Sequence, residues 1–318
     1  MSATFQPVPF IPLAPVVQRT GVGVSVISPA SFAKAERVDR GIERLRTLGF
    51  APHLGTNTQK RGPFFFAGTS EERLADLHSA FADPESAIVA CVRGGYGSNY
   101  LLNGLDLSLI KRHPKPFFAY SDLTGIQLHL LDRLGLPVFH GPMVAADFAL
   151  EDGVHLASFQ SALAGKPYSV GASEGLRTLK TGSASGTLYG GCLSILVALL
   201  GTLWEPPTEG KLLFLEDTGA KPYQIDRMLW QLRASGKFDH IRGIVFGEML
   251  ECSSLGASPT LLDDVILQAF RDTDIPIAIG LRSGHVSRQN VTLTFGVQAE
   301  LQATSAPELH LLQPAVAA

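Results

Sequence analysis

Sulfur and tryptophan are scarce in this chain: 318 residues include three cysteines, four methionines and two tryptophans. Cys91, Cys192 and Cys252 are far apart and form no CxxC pair, which excludes a disulfide framework and favours a reducing compartment. There is no surplus of positive charge. Lysine and arginine number 26 against 29 acidic residues, a formal net charge of −3, so the electrostatic footprint of a nucleic-acid binder is missing. No uninterrupted apolar run approaches the length of a membrane span. The opening stretch MSATFQPVPFIPLAP lacks a basic region and is broken by prolines, unlike a secretory signal. HExxH is absent, and the histidines and cysteines show no metal-ligand spacing. A cytoplasmic protein is therefore expected, with no metal, no cofactor, no nucleic acid and no membrane among its partners. No fixed-period repeat is visible.

Apolar residues are plentiful, at 45% against 17% charged. A chain of this length and composition suits two domains with well-buried cores. The Pro-rich first twenty residues are expected along the surface. From there apolar runs and amphipathic stretches alternate. GVGVSVISPAS (21–31) reads as a buried strand, and the stretch 33–50 as a helix ending at Gly49. SEERLADLHSAFAD (70–83) opens on Ser70 and acidic residues, as a capped helix does. SAIVACV (86–92) is a strand running into Arg93-Gly94-Gly95-Tyr96-Gly97. PFFAY (116–120) is another, followed by a helix to Gly135 and the strand LPVFHGP (136–142). This alternation predicts a doubly wound, mostly parallel α/β sheet over residues 1–148.

Residues 149–185 are richer in Gly, Ser, Lys and Thr and read as a linker with an edge hairpin. A second, smaller α/β domain is predicted over 186–318. It holds the strand KLLFLE (211–216), the helix PYQIDRMLWQLRASG with Trp230 at core-like spacing, the strand GIVFGEM, a helix from 259 and the strand IPIAIG. The alternating stretch 290–303 suggests a β-hairpin or a terminal strand pair.

Three residue types able to do nucleophilic chemistry stand just beyond predicted strands. Ser121 falls where strand gives way to helix, the place where a turn can present a hydroxyl at the carboxyl edge of a sheet. The following Asp122 N–H would face the positive end of the helix and could donate to an oxyanion. Ser-Asp ahead of an apolar helix is equally an ordinary N-cap, and Ala119 and Leu123 depart from GxSxG. Three glycines among residues 94–97 let backbone amides approach a ligand, or form a plain turn. Glu216 and Asp217 end a strand as site acids or as solvated turn residues. His285 sits in a Gly-flanked loop, with His140 as a rival base or a brace. Cys91, inside an apolar strand, reads as a core thiol. A serine nucleophile needs this set: imidazole to take the proton, carboxylate to fix the tautomer, paired amides for the oxyanion.

The segments VRGGYGSNYLL, FAYSDLTGIQLHL, FHGPM, GTLYGGCLSILVALLGT, LFLEDTGAKPYQIDRMLWQL and the Gly-His of RSGHVSRQN, in that order, resemble the LD-carboxypeptidases. That family includes muramoyl-tetrapeptide carboxypeptidase and the microcin C immunity peptidases. The resemblance runs from the first strand to about residue 301. It implies Ser121 as nucleophile, Glu216 as acid and His285 as base, with oxyanion donors on the N–H groups of Gly95 and Asp122. It implies an N-terminal wound α/β domain and a smaller C-terminal one, an active site in the cleft between them, and a homodimer. The family commonly has Gly at the position of Ala119 and Asn at that of Cys192, and small and Pro residues after Gly-His.

The function implied is release of the terminal D-alanine from murein tetrapeptide during peptidoglycan recycling, through an acyl-enzyme. The terminal carboxylate calls for a cation or oriented amides, with Arg93, Lys221 and Arg282 available and Gly94 and Tyr96 beside the first. Two other readings stay open. One is an immunity-type enzyme cleaving a peptidyl- or aminoacyl-nucleotide, with Trp204 or Trp230 as a platform for the base. The other is a non-catalytic small-molecule binder using the Gly94-Gly95 turn as an anion nest.

Overall fold

A computed structural model describes residues 8–16, 20–253, 258–313 and 315. The chain divides into two compact units, residues 1–166 with 288–296 and 314–318, and residues 167–287 with 297–313.

The first unit is built on five parallel strands: β1 (Val22–Ile27), β2 (Phe50–Leu54), β3 (Ile88–Cys91), β4 (Phe117–Ala119) and β5 (Val138–His140). Their order is β5-β4-β3-β1-β2, so the winding direction reverses between β1 and β3. In wound sheets the loops at the carboxyl ends beside such a reversal are where ligands bind. β1, β3, β4 and β5 are buried along their length, as their continuous apolar runs require. The helices are α1 (Ala35–Thr47), α2 (Ser70–Ala82), α3 (Leu107–Arg112), α4 (Thr124–Leu134) and α5 (Leu156–Ala164). α2 starts on a capping box between Thr69 and Glu72, one residue ahead of Ser70. α4 stops where Gly135 turns left-handed at φ 69°.

The second unit carries an eight-stranded mixed sheet. Its strands include β6 (Tyr168–Gly171), β7 (Arg177–Lys180), β8 (Gly182–Cys192), β9 (Lys211–Glu216), β10 (Gly243–Gly247) and β11 (Ile277–Leu281). β8, β9, β10 and β11 are parallel neighbours. Helices α6 (Leu193–Ala198), α7 (Pro222–Ala234) and α8 (Leu261–Ala269) connect them. The chain then enters the first unit as β12 (Leu293–Phe295), antiparallel to β5, and finishes the second sheet with β13 (Gln298–Ala303) and β14 (Glu308–Leu311). Among the described residues no helix is long and apolar enough to cross a membrane.

Four sequence expectations change. Residues 149–185 are not a linker: α5 belongs to the first unit, and β6 and β7 are strands of the second sheet. The stretch 290–303 is not a hairpin, because β12 and β13 pair in different sheets. Of the first twenty residues, 1–7 and 17–19 lie outside the described residues; Val8, Pro9, Pro12, Ala14 and Pro15 are exposed as expected, but Leu13 and Val16 are buried. Trp230 is 66% exposed. α7 buries Ile225, Leu229 and Leu232, and the position after Leu229 turns away from that face.

Candidate active site

Ser121 opens a short 3-10 turn between β4 and α4 and is partly exposed. Its φ is 65°, a left-handed conformation that costs a non-glycine residue about 1–2 kcal/mol. An N-cap takes extended backbone and accepts a helix N–H. Ser121 does neither: the turn's cap position is Tyr120 and that of α4 is Leu123, both without a side-chain cap bond. The geometry is a strained strand-to-helix elbow rather than a cap.

The glycine loop lies directly against this elbow. A Cβ on Gly94 would stand 2.7 Å from Ser121 Cβ, 2.9 Å from its Oγ and 3.3 Å from the Asp122 nitrogen. Only a residue without a side chain leaves that space open beside the hydroxyl and the amide. Gly95 is left-handed at φ 111° and exposed.

Two serines that sequence reasoning passed over hold the loop in place. Buried Ser31, beyond the carboxyl end of β1, accepts the Tyr96 N–H at 3.0 Å, and its own N–H donates to the Gly94 carbonyl at 3.4 Å. Ser98 donates its N–H to Asp122 Oδ2 at 2.8 Å and its hydroxyl to the Asp122 carbonyl at 2.6 Å. The Asp122 carboxylate therefore ties the glycine loop to the turn, with its pKa raised by burial against the opposing pull of those bonds and of Arg73. No composition signal marks Ser31 or Ser98, since a buried serine looks like any loop serine until its partner is known.

In the second unit, Glu216 ends β9 and is fully buried. Its Oε2 accepts the His285 backbone N–H at 3.0 Å and lies 2.7 Å from His285 Nδ1. Two glycines make room for it. A Cβ on Gly247, at the end of neighbouring β10, would come within 2.7 Å of Glu216 Cβ; one on Gly284 would come within 2.6 Å of its carboxyl carbon. Glu248 accepts the Ser287 N–H at 2.9 Å and steadies the far side of the same loop. The His285 side chain stays 21% exposed.

The competing residues separate. Asp217 is buried, with its carboxyl pKa raised by that burial; it accepts the Ser194 N–H at 2.8 Å rather than sitting solvated in a turn. His140 is fully buried in β5, its ring 5.8 Å from that of Tyr120 and 5.2 Å from that of Phe295. Packed inside the sheet against those rings, it suits a brace better than a proton shuttle. Cys91 is fully buried and its thiol is pushed well up by desolvation, a core residue. Lys221 donates to the Ser253 carbonyl and Arg282 to the Ser173 carbonyl. Arg93 is exposed and makes no ion pair among the described residues; its Nη2 stands 3.4 Å from where a Cβ on Gly95 would be.

A family model described as the LD-carboxypeptidase N-terminal domain matches residues 24–141, and one described as the C-terminal domain matches residues 185–301. The chain is 37% identical over 296 residues to a probable murein peptide carboxypeptidase of Bacillus subtilis, covering 90% of this chain and 91% of that one. It is 33% identical to the murein tetrapeptide carboxypeptidase of Pseudomonas aeruginosa, covering 88% and 92%. Among solved structures, an MccF-like protein from Bacillus anthracis superposes with a TM-score of 0.87 at 27% identity, covering 95% of this chain and 99% of that one. On these grounds the chain belongs to the LD-carboxypeptidase family.

Proposed function

We propose that this protein is a serine carboxypeptidase that hydrolyses the L,D-amide of a murein tetrapeptide and releases its terminal D-alanine. Ser121 Oγ attacks the scissile carbonyl. His285 takes the hydroxyl proton and returns it to the leaving amine, while Glu216 fixes the ring and stabilises the imidazolium. The N–H groups of Gly95 and Asp122 hold the oxyanion, and water resolves the acyl-enzyme. Arg93 meets the terminal carboxylate, with Gly94 and Tyr96 lining the approach. The chemistry needs no cofactor.

The observation that carries the reading is Ser121 itself: a hydroxyl held at positive φ, in no cap, against a glycine that leaves it open. Strained backbone of this kind persists where the surroundings impose it, and such positions cluster at active sites. The relatives named for murein peptides supply the substrate class. A cytoplasmic homodimer acting in peptidoglycan recycling completes the proposal.

The likeness to an MccF-like protein supports a second substrate class, a peptidyl- or aminoacyl-nucleotide amide cut by the same residues. One assay separates the two, with D-alanine release from murein tetrapeptide measured beside cleavage of an aminoacyl sulfamoyl nucleoside. A kcat/KM at least tenfold higher on the tetrapeptide is expected, and the reverse order overturns the murein reading. Labelling by a fluorophosphonate, lost in Ser121→Ala and in His285→Ala, is expected of the enzyme; a pure binder would not label.

A further inference from the structure

Arg73, near the start of α2, is a cation that the hydrolysis does not use and that is only 1% exposed. A guanidinium is almost never buried to that degree unless it is paired. Its Nη1 donates to the Pro29 carbonyl at 2.9 Å and to the Gly97 carbonyl at 2.8 Å. Nε donates to the Thr69 carbonyl and Nη2 to the Ser70 hydroxyl, each at 3.3 Å. Pro29 follows β1 and Gly97 follows β3, so one nitrogen joins the two loops that flank the reversal of the sheet.

The Gly97 carbonyl and the Ser98 N–H belong to one peptide group, and in a trans peptide they point to opposite sides. The carbonyl accepts from Arg73; the N–H donates to Asp122 Oδ2, also at 2.8 Å. Cation, peptide and carboxylate therefore stand in series, with the peptide dipole aligned to both charges. Burial lowers the Arg73 pKa and Asp122 opposes it; burial raises that of Asp122 and Arg73 opposes it. Turning the peptide over would aim its carbonyl at the carboxylate and its N–H at the cation, so one orientation is imposed. Gly97 itself restrains little. Its φ is 109°, and a Cβ there would stand 2.5 Å from the Phe66 ring and 3.2 Å from Arg73 Nη1.

We infer that Arg73 is a positioning residue for the oxyanion hole, acting through the Gly97–Ser98 peptide on Asp122, an inference that rests on the serine-hydrolase reading above. One end of the series is Asp122, whose own N–H is one of the two donors in that reading. The other donor, Gly95, lies two residues before the fixed peptide. Gly94 abuts Ser121 and Ser31 accepts the Tyr96 N–H, so the Gly97–Ser98 peptide is the downstream anchor of a segment that three glycines would otherwise leave free to rotate. Donors fixed before the reaction need no reorganisation as the oxyanion forms. An arginine that only filled the core could be replaced by an apolar side chain of similar volume without loss of turnover.

The test measures D-alanine release from murein tetrapeptide per serine labelled to completion by a fluorophosphonate, so that unfolded protein does not count. Arg73→Met should lower kcat about 30-fold or more with KM within about twofold, since the donors act on the transition state. Arg73→Lys keeps the charge and a donor, and should recover about tenfold of that loss. Asp122→Asn should lose about tenfold, and Arg73→Met/Asp122→Asn should fall no more than about threefold below Arg73→Met, because both changes act on one peptide. Losses that multiply, a loss confined to KM, or a lysine variant no better than the methionine one overturns the inference. So does an Arg73→Met enzyme with the kcat of wild type.

Amide exchange reads the same clamp without substrate, and it decides the matter if Arg73→Met does not fold or if wild type neither turns over nor labels. The second of these outcomes sinks the proposed function by itself. The Ser98 N–H should exchange about threefold faster or more in Arg73→Lys than in wild type, with the amides of α4 unchanged. Equal exchange at Ser98 ends the inference, whatever the activity.

Discussion

A single oxygen of Glu216 holds His285 at two points, the backbone N–H at 3.0 Å and the ring Nδ1 at 2.7 Å. The proposed base role requires that Nδ1 carry the proton in this contact and that Nε2 act as the acceptor. The backbone contact sets where the ring starts, and the ring contact sets how it is turned. Burial of Glu216 strengthens both, since a carboxylate withdrawn from water interacts more strongly with its remaining partners.

Replacing Glu216 by Gln keeps the shape and removes the charge that stabilises an imidazolium. Turnover should fall about 10²–10⁴-fold with KM little changed. Glu216→Ala should lose as much turnover and also unfold earlier, because the His285 N–H is left without its acceptor. The cost is about 1–3 kcal/mol, read in a denaturant midpoint.

Ser121→Ala should lower D-alanine release by about 10³–10⁶-fold while the circular dichroism stays that of wild type. Ser121→Gly should be equally inactive yet more stable than Ser121→Ala by about 1 kcal/mol, since glycine accepts a φ of 65° without a Cβ clash. Equal melting temperatures for the two variants would show that the elbow is unstrained.

Adding one methyl at Gly94 drives a Cβ to 2.7 Å from Ser121 Cβ and 2.9 Å from its Oγ. Gly94→Ala should cost about 1–3 kcal/mol of stability through overpacking. Its kcat should fall at least 100-fold, as the hydroxyl and the Asp122 amide are pushed off line.

Ser31 supports the same loop from below. Ser31→Ala removes the acceptor of the Tyr96 N–H and should lower kcat about tenfold, with a loss of about 1 kcal/mol in stability. Ser31→Thr, which restores a hydroxyl, should recover part of the rate.

Acid sensitivity should trace in part to His129 on α4. Burial, helped by Arg133, pushes its pKa from 6.5 down to about 4. Between those values the unfolded chain binds the proton and the folded chain does not, so stability rises with pH across that window and falls on acidification. His129→Gln should show a smaller drop in melting temperature from pH 7 to pH 5 than wild type shows.

The strands and helices were legible because each carries its own period. KLLFLE coincides residue for residue with β9, and the helix read over 70–83 runs one residue past α2, because an apolar run and a capped amphipathic stretch are local properties. β2 escaped notice: FAPHL buries only Phe50, and a sheet-edge strand needs no apolar run. Trp230 misled because a helical period tells how residues group, not which group faces the sheet.

By itself, then, the sequence determined the alternating α/β architecture and where Ser121, Glu216 and His285 fall along it, each at or just beyond a strand end. Only tertiary structure decided that Ser121 takes positive φ instead of capping a helix, and that Gly94 rests against it. Tertiary structure also paired Glu216 with a histidine 69 residues away and sent β12 and β13 to different sheets. The physical reason is range. Hydrophobic period and capping act over a few neighbouring residues, whereas a strained dihedral, a close glycine contact and a carboxylate–imidazole hydrogen bond exist only once distant segments have packed.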